Sequence, residues 1–435
     1  MKSWNTFGER IARAVPDGAL AGYCARIARL IRLDHPAARA LRVFWHHPKA
    51  WRYNVQMVRA FILNEMARGH FQRAAFRTRT GVEAPLAVMI SPTNRCNLQC
   101  KGCYASAGTG GGELSFDEVD GVVRQAKAMG VHFFVISGGE PFMWPGLLDL
   151  LEKHRDAIFL IYTNGTCITA SVAKRLARIA NNGPALSLEG GREQTDARRG
   201  AGVFDRIEEA FARLREARAL YGFSATVSSA NFNAIAADAF RRQQIDRGCA
   251  FGWLFHYVPV GRDAQTDWML TPAQRIELFH LAQRWRTQDA IAIIDFWNDG
   301  PLVGGCIAGG RRYLHVNANG DVEPCAFVRF ATHNIRTSSL EDALLSPFFS
   351  GMRAQQKAHE NLLVPCFLID HTAELAGLVN DTGAHSTDGW SAGVLCRCGD
   401  DLAARAEKYR AVAEPVWRAL PPEALGAYKH WVPEI

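Results

Sequence analysis

The sequence predicts an α/β protein: a partial (β/α)6 barrel of the TIM type, with a helical N-terminal extension and a small cysteine-containing C-terminal module. Three observations predict it. From about residue 86, extended apolar stretches alternate with amphipathic helical ones six times, the pattern of a parallel sheet with helices outside it. Before that point the chain has helical periodicity and is strongly basic. Beyond about residue 291 the alternation is lost, and the chain becomes rich in Gly and Asn and holds Cys306, Cys325, Cys366, Cys396 and Cys398. The expected divisions are 1–80, 81–290 and 291–435.

The elements follow in order. Residues 1–80 read as helices broken by Pro16, Pro36 and Pro48, with "ARIARLIRL" and "WRYNVQMVRAFILNEM" setting apolar residues at helical spacing between arginines. "LAVMISPT" reads as the first strand, and "FDEVDGVVRQAKAMG" as a helix ending at Gly130. "HFFVISGGEP", "AIFLIYTNGT", "PALSLEG", "GFSATVSSA" and "FGWLFHYVPVG" read as five further strands, each followed by a helical stretch. Six such units suit an open, incomplete barrel with its chemistry at the carboxyl ends of the strands. In the last module "LHVNANGDVEPC" reads as a hairpin turning at Asn-Gly.

Composition bounds the function. The chain has 435 residues, 48% hydrophobic and 21% charged, which is ordinary for a globular protein. No apolar run is long enough to span a bilayer, and no secretory signal is evident, so a cytoplasmic location is expected. Net charge is +7, yet residues 1–80 carry 15 Lys/Arg against 4 Asp/Glu, leaving the remainder slightly acidic. The basic segment is expected to cover or feed the barrel mouth, with peripheral contact to anionic lipid as the alternative. Nucleic-acid binding is not expected, because neither base-stacking platforms nor a recognition helix are evident.

Eleven cysteines cluster rather than spread, which points to metal binding in a reducing compartment rather than to disulfides. In "SPTNRCNLQCKGCYA" Cys96, Cys100 and Cys103 sit within eight residues, just after the first strand. Thiolates hold iron–sulfur clusters. A structural zinc site needs four ligands, and no fourth Cys or His lies nearby. Spacing alone leaves iron–sulfur, zinc and incidental thiols open.

The spacing C-x-x-x-C-x-x-C followed by Tyr104 resembles the signature of the radical S-adenosylmethionine (SAM) superfamily, and the resemblance extends over about residues 86–290. "SGGEP", at the end of the second strand, resembles that family's glycine-glycine-glutamate element. The resemblance implies that Cys96, Cys100 and Cys103 hold a [4Fe-4S] cluster with one iron free to chelate SAM. It implies that Gly138, Gly139 and Glu140 hold the methionine amino group. It also implies cofactor contacts for Tyr104, for Asn164 in "TNGT", for Ser187 and Glu189 in "SLEG" near the ribose, and for Arg199 in "DARRG" at the carboxylate. Many relatives carry Asp where Glu189 stands. The implied chemistry is reductive cleavage of SAM to a 5′-deoxyadenosyl radical, which abstracts hydrogen from an unactivated C–H bond. A low-potential donor of the flavodoxin or ferredoxin type is the implied electron source. The implied substrate classes are a small molecule, a lipid or a peptide. A non-catalytic iron–sulfur or zinc scaffold on the same fold is the alternative.

Cys306, thirteen residues, Gly320, four residues and Cys325 resemble the opening of the SPASM extension of these enzymes. The dense cysteine array that completes that extension is missing, so one auxiliary cluster on Cys306, Cys325 and Cys366 is expected, not two. Its fourth ligand is left among Cys396, Cys398, His371, substrate or none. The stretch "DFWNDGPLVGGCIAGGRRYLHVNANGDVEPCAF" resembles a large bacterial radical SAM family of mostly unassigned substrate. His132 and His256 read as satisfied core histidines, and Cys167 and Cys249 as small buried thiols.

Overall fold

The computed structural model describes residues 36–49, 51–108, 111–288, 291–388 and 391–420. One sheet organises them. Its strands are β1 (Ala87–Ile90), β2 (Phe133–Ile136), β3 (Ile158–Thr163), β4 (Asn182–Leu188), β5 (Gly222–Val227), β6 (Phe251–His256), β7 (Ala292–Asp295), β8 (Tyr313–Val316) and β9 (Val322–Glu323), in spatial order β7-β6-β5-β4-β3-β2-β1-β8-β9. Every pair is parallel except β8 with β9. The six expected strand–helix units are present, as an open barrel-like sheet.

The expected break at residue 291 does not interrupt the sheet. β7 adds a seventh strand beside β6, and β8 joins the opposite edge beside β1. The C-terminal module is therefore continuous with the barrel. The reason is local: Ala292, Ile293 and Asp295 are buried, and a parallel edge strand supplies them with backbone partners. A buried chain of polar groups secures the other edge. His315 on β8 meets Ser91 Oγ at 2.7 Å through Nε2 and Glu323 Oε2 on β9 at 2.6 Å through Nδ1. The expected hairpin forms between β8 and β9, with His315 opposite Glu323 and Gly320 at positive φ.

Alternation along the strands makes two faces. Val88, Ile90, Phe134 and Ile136 pack outward against the helices. The other face looks into the barrel, where Ser187, Ser224, Trp253 and Ile294 fall in one register row across β4 to β7. The helix Phe116–Ala128 starts on a capping box between Ser115 and Glu118, and Gly130 beyond its end has φ of +90°.

Of the N-terminal extension, "ARIARLIRL" lies outside the described residues. The stretch 51–80 is helical, as expected, with wide π turns over Met57–Arg68. Its position corrects the expectation that it covers the mouth. Asn64 Nδ2 donates to the Asp156 carbonyl at 3.1 Å, Glu65 Oε2 accepts from His132 N at 2.7 Å, and Arg73 Nη1 donates to the Gly130 carbonyl at 2.5 Å. Those partners precede β2 and β3, so the segment closes the amino end of the barrel. The loops entering the strands expose backbone groups there, and Arg73, Asn64 and Glu65 satisfy them.

Candidate active site

One cavity of about 890 Å³ runs along the barrel axis. At the carboxyl end of the strands it is bounded by Cys96, Cys100 and Cys103. The loop carrying them leaves β1 and is pinned by Thr93, whose Oγ1 donates to Glu113 Oε2 at 2.7 Å. The thiols are half-buried. Burial pushes Cys96 up to about 11 and Cys100 upward too, while the Arg199 guanidinium pulls Cys100 back. Asn164 Nδ2 approaches Cys96 Sγ at 3.9 Å and donates to Asn97 Oδ1 at 2.9 Å.

Ser137, Gly138 and Gly139 also line the cavity. Their glycines serve a close approach of two backbones. Gly139 N donates to the Thr93 carbonyl at 2.8 Å, and Glu140 N to the Arg95 carbonyl at 2.8 Å. A Cβ on Gly138, which has φ of +115°, would stand 2.6 Å from the Thr93 carbonyl oxygen, and one on Gly139 would collide with that of Arg95. The two loops can meet only without side chains there.

Glu140 departs from expectation. Its carboxylate is fully buried and turned into the fold. Oε1 accepts from Thr163 Oγ1 at 2.7 Å and Phe142 N at 3.1 Å, and Oε2 from Asn164 N at 2.8 Å. Burial pushes its carboxyl upward and these donors hold it back. It ties the glycine loop to the end of β3 rather than facing the cavity.

Glu189 departs in the same way. It is 1% exposed, and Oε1 accepts from Arg198 Nη1 at 2.6 Å and from Arg199 Nη2 at 2.6 Å. The two guanidiniums, not the carboxylate, line the cavity. Glu189 Oε1 holds both guanidiniums. Sequence reading passed over Arg198; its adjacency to Arg199 on the short helix Arg192–Arg199 was the available signal. Tyr104, Asn164 and Ser187 do line the cavity. The Tyr104 hydroxyl lies 2.8 Å from Ser137 Oγ, and its backbone carbonyl accepts from Arg329 Nη1 at 2.9 Å. Ser187 Oγ lies 3.1 Å from Ser224 Oγ.

His256 also reaches the cavity, at the carboxyl end of β6. Its Nε2 lies 3.3 Å from Asp295 Oδ1, its ring stacks on Trp297, and Nδ1 is buried without a partner among the described residues. It is thus an incompletely satisfied histidine. His132 is held below its usual range, to about 4, by burial, and its Nδ1 too is buried without a partner among the described residues.

Cys306, Cys325 and Cys366 come together around a second, small cavity. Burial pushes all three thiols up, Cys325 to about 12. The Tyr313 hydroxyl donates to Cys325 Sγ at 2.8 Å. Phe296, Ile307, Tyr313 and Phe327 line both cavities and form the wall between them. His371 is not part of this group. Its Nε2 lies 2.8 Å from the Val364 carbonyl, its Nδ1 lies 3.0 Å from Glu374 Oε1, and its ring stacks 3.6 Å from that of His359. Cys398 sits on the helix Ser391–Ala419 and does not line the small cavity; the Cys396 side chain lies outside the described residues.

Comparisons with known proteins agree with this arrangement. A model of the radical SAM superfamily matches residues 90–224, and a SPASM model, described as an iron–sulfur cluster-binding domain, matches 306–367. The chain is 25% identical over 283 residues to the AdoMet-dependent heme synthase of Methanosarcina barkeri, covering 58% of this chain and 80% of that protein. It is 29% identical over 310 residues to the mycofactocin maturase MftC of Mycobacterium ulcerans, covering 64% and 79%. Streptococcus suis SuiB bound to its precursor peptide SuiA shares the fold, with a TM-score of 0.56 at 20% identity over 67% of this chain and 72% of that one. With a parallel barrel-like sheet, thiols at its carboxyl end and a second thiol group in the domain that follows, the chain belongs to the radical SAM superfamily: it is an enzyme that uses a [4Fe-4S] cluster with SAM and carries a C-terminal SPASM module for auxiliary iron–sulfur binding.

Proposed function

We propose that Cys96, Cys100 and Cys103 hold the cluster that binds SAM, that Cys306, Cys325 and Cys366 hold one auxiliary cluster, and that the substrate lies in the barrel between them. Bound cluster and SAM together supply a 5′-deoxyadenosyl radical that takes hydrogen from an unactivated C–H bond. The chain's own residues bind and orient. Gly138 and Gly139 hold the backbone wall against the thiol loop, with Glu140 bracing that wall from behind. Arg198 and Arg199 offer guanidiniums to a carboxylate, and Glu189 fixes them in place. Ser187 and Ser224 offer hydroxyls to a ribose. Trp253, Phe255 and Phe296 exclude water from the space beyond.

The carrying observation is that three thiols and a charge-paired arginine couple share the carboxyl end of one cavity. Electrons reach the site from a low-potential donor of the flavodoxin or ferredoxin type. Replacing Cys96, Cys100 and Cys103 together by Ala is expected to remove about 4 Fe per chain and all formation of 5′-deoxyadenosine. Continued cleavage of SAM by that variant would sink the assignment.

A further inference from the structure

The barrel cavity does not stop at the thiol end. It continues past Tyr162, Trp253 and Phe255 to Ala87 and Arg312 at the amino end, where the helical segment 51–80 closes it. From Phe133 to Ser137, both lining residues, the sheet runs four steps, or about 13 Å at strand rise. The walls along that length are largely aromatic and aliphatic.

Charge at the closed end is unbalanced. Arg73 pairs with Glu65 at 2.6 Å, and Arg77 with Glu83 at 2.7 Å. Arg312 lines the same end. Its Nη2 is buried and meets no hydrogen-bond partner among the described residues; Glu83, already paired with Arg77, is the acidic group whose charge reaches it. Burial, then the neighbouring Arg311, pull its guanidinium down to about 10, and the more distant Glu83 opposes them only in part. A buried guanidinium nitrogen left without a partner is costly unless an acceptor completes it.

Building on the catalytic reading above, the geometry points to an elongated, mostly apolar substrate with a terminal anionic group, seated with the anion on Arg312 and its body along the aromatic wall towards the thiol end. The arginine sets the register of the chain. It thereby selects which C–H bond stands near Cys96, Cys100 and Cys103. A carboxylate and a phosphate monoester share the chemistry that Arg312 offers, since both accept from the guanidinium fork.

Calorimetry on the cluster-loaded protein, with dodecanoate, dodecyl phosphate, dodecanol and dodecylamine below their micelle concentrations, tests this. The wild type is expected to bind at least one of the two anions about tenfold or more tightly than dodecanol or dodecylamine, as a charge-assisted pair requires. Arg312→Gln is expected to abolish that preference, and Arg312→Lys to keep part of it. Which anion is preferred separates a carboxylate from a phosphate. Equal affinity for all four probes in the wild type, or an undiminished preference in Arg312→Gln with normal iron content, would overturn the proposal. Anion preference in a protein that fails to cleave SAM would leave this site standing without the radical reading; SAM cleavage without any preference would do the reverse.

Discussion

The Tyr313 hydroxyl donates to Cys325 Sγ at 2.8 Å, and the same ring forms part of the wall between the barrel cavity and the small thiol cavity. One side chain thus touches both the proposed reaction space and the proposed auxiliary-cluster site. A hydrogen bond to a ligating sulfur raises a cluster's reduction potential, because it stabilises the added electron. Tyr313→Phe keeps the ring and removes the donor. The auxiliary potential is expected to fall by tens of millivolts, with iron content unchanged, when read in the variant lacking Cys96, Cys100 and Cys103. An unmoved potential would show that Cys325 does not ligate.

Iron counting tests the auxiliary site itself. The loaded wild type is expected to approach eight iron and eight sulfide per chain, and Cys306, Cys325 and Cys366 replaced together by Ala about half of each. About twelve iron in the wild type, or zinc in place of iron, would show that the module holds something other than one four-iron cluster.

Glu140 separates bracing from direct contact. With both oxygens already taken by Thr163, Phe142 and Asn164, Glu140→Gln is expected to lower Tm, by losing about 1.5–3 kcal/mol of charge-assisted bonding. Affinity of the folded fraction for SAM is expected to change by less than about threefold, since no contact to the ligand is lost. An unchanged Tm with a tenfold loss of affinity would put the carboxylate on the cofactor's ammonium after all.

Asp120 carries a pH signature remote from the thiols. Burial pushes its carboxyl up, but Lys153 at 2.8 Å, Arg124 at 2.8 Å and His154 at 2.9 Å outweigh it and bring it down to about 2. A carboxyl depressed in the folded state stabilises the fold above its unfolded value, and that stability fades as pH falls from about 4 through about 2. The Tm difference between wild type and Asp120→Asn is therefore expected to be full at pH 6 and to shrink below pH 4. A difference independent of pH would mean that the carboxylate contributes only shape.

Much of the site was legible because its chemistry is written locally. Cys96, Cys100, Cys103, Gly138 and Gly139 lie on two short loops directly after predicted strands, so strand order alone brings them together. The side chains of Glu140 and Glu189 are buried off the cavity wall, which sequence does not show because it gives a residue's place and not its side-chain direction. Each carboxylate found buried donors closer than the cavity, and burial without them would cost more than facing a ligand returns. His256 was read as satisfied, yet its Nδ1 is left open at the cavity's edge. The break expected near residue 291 failed for a related reason. β7 was not read as a strand, and β8 was read only as one arm of a hairpin; that they pair with β6 and β1 at the two edges of the sheet joins segments far apart in the chain, which a local pattern does not show.

By itself the sequence determined the class of chemistry, the alternation that builds the parallel sheet, and the two groups of cysteines, since spacing and periodicity survive in one dimension. Tertiary structure alone decided the rest. It set the helical segment 51–80 across the amino end, left Arg312 Nη2 without a hydrogen-bond partner, and made Tyr313 a shared wall. Those relationships join residues far apart in the chain, and they exist only because close packing brings distant elements side by side.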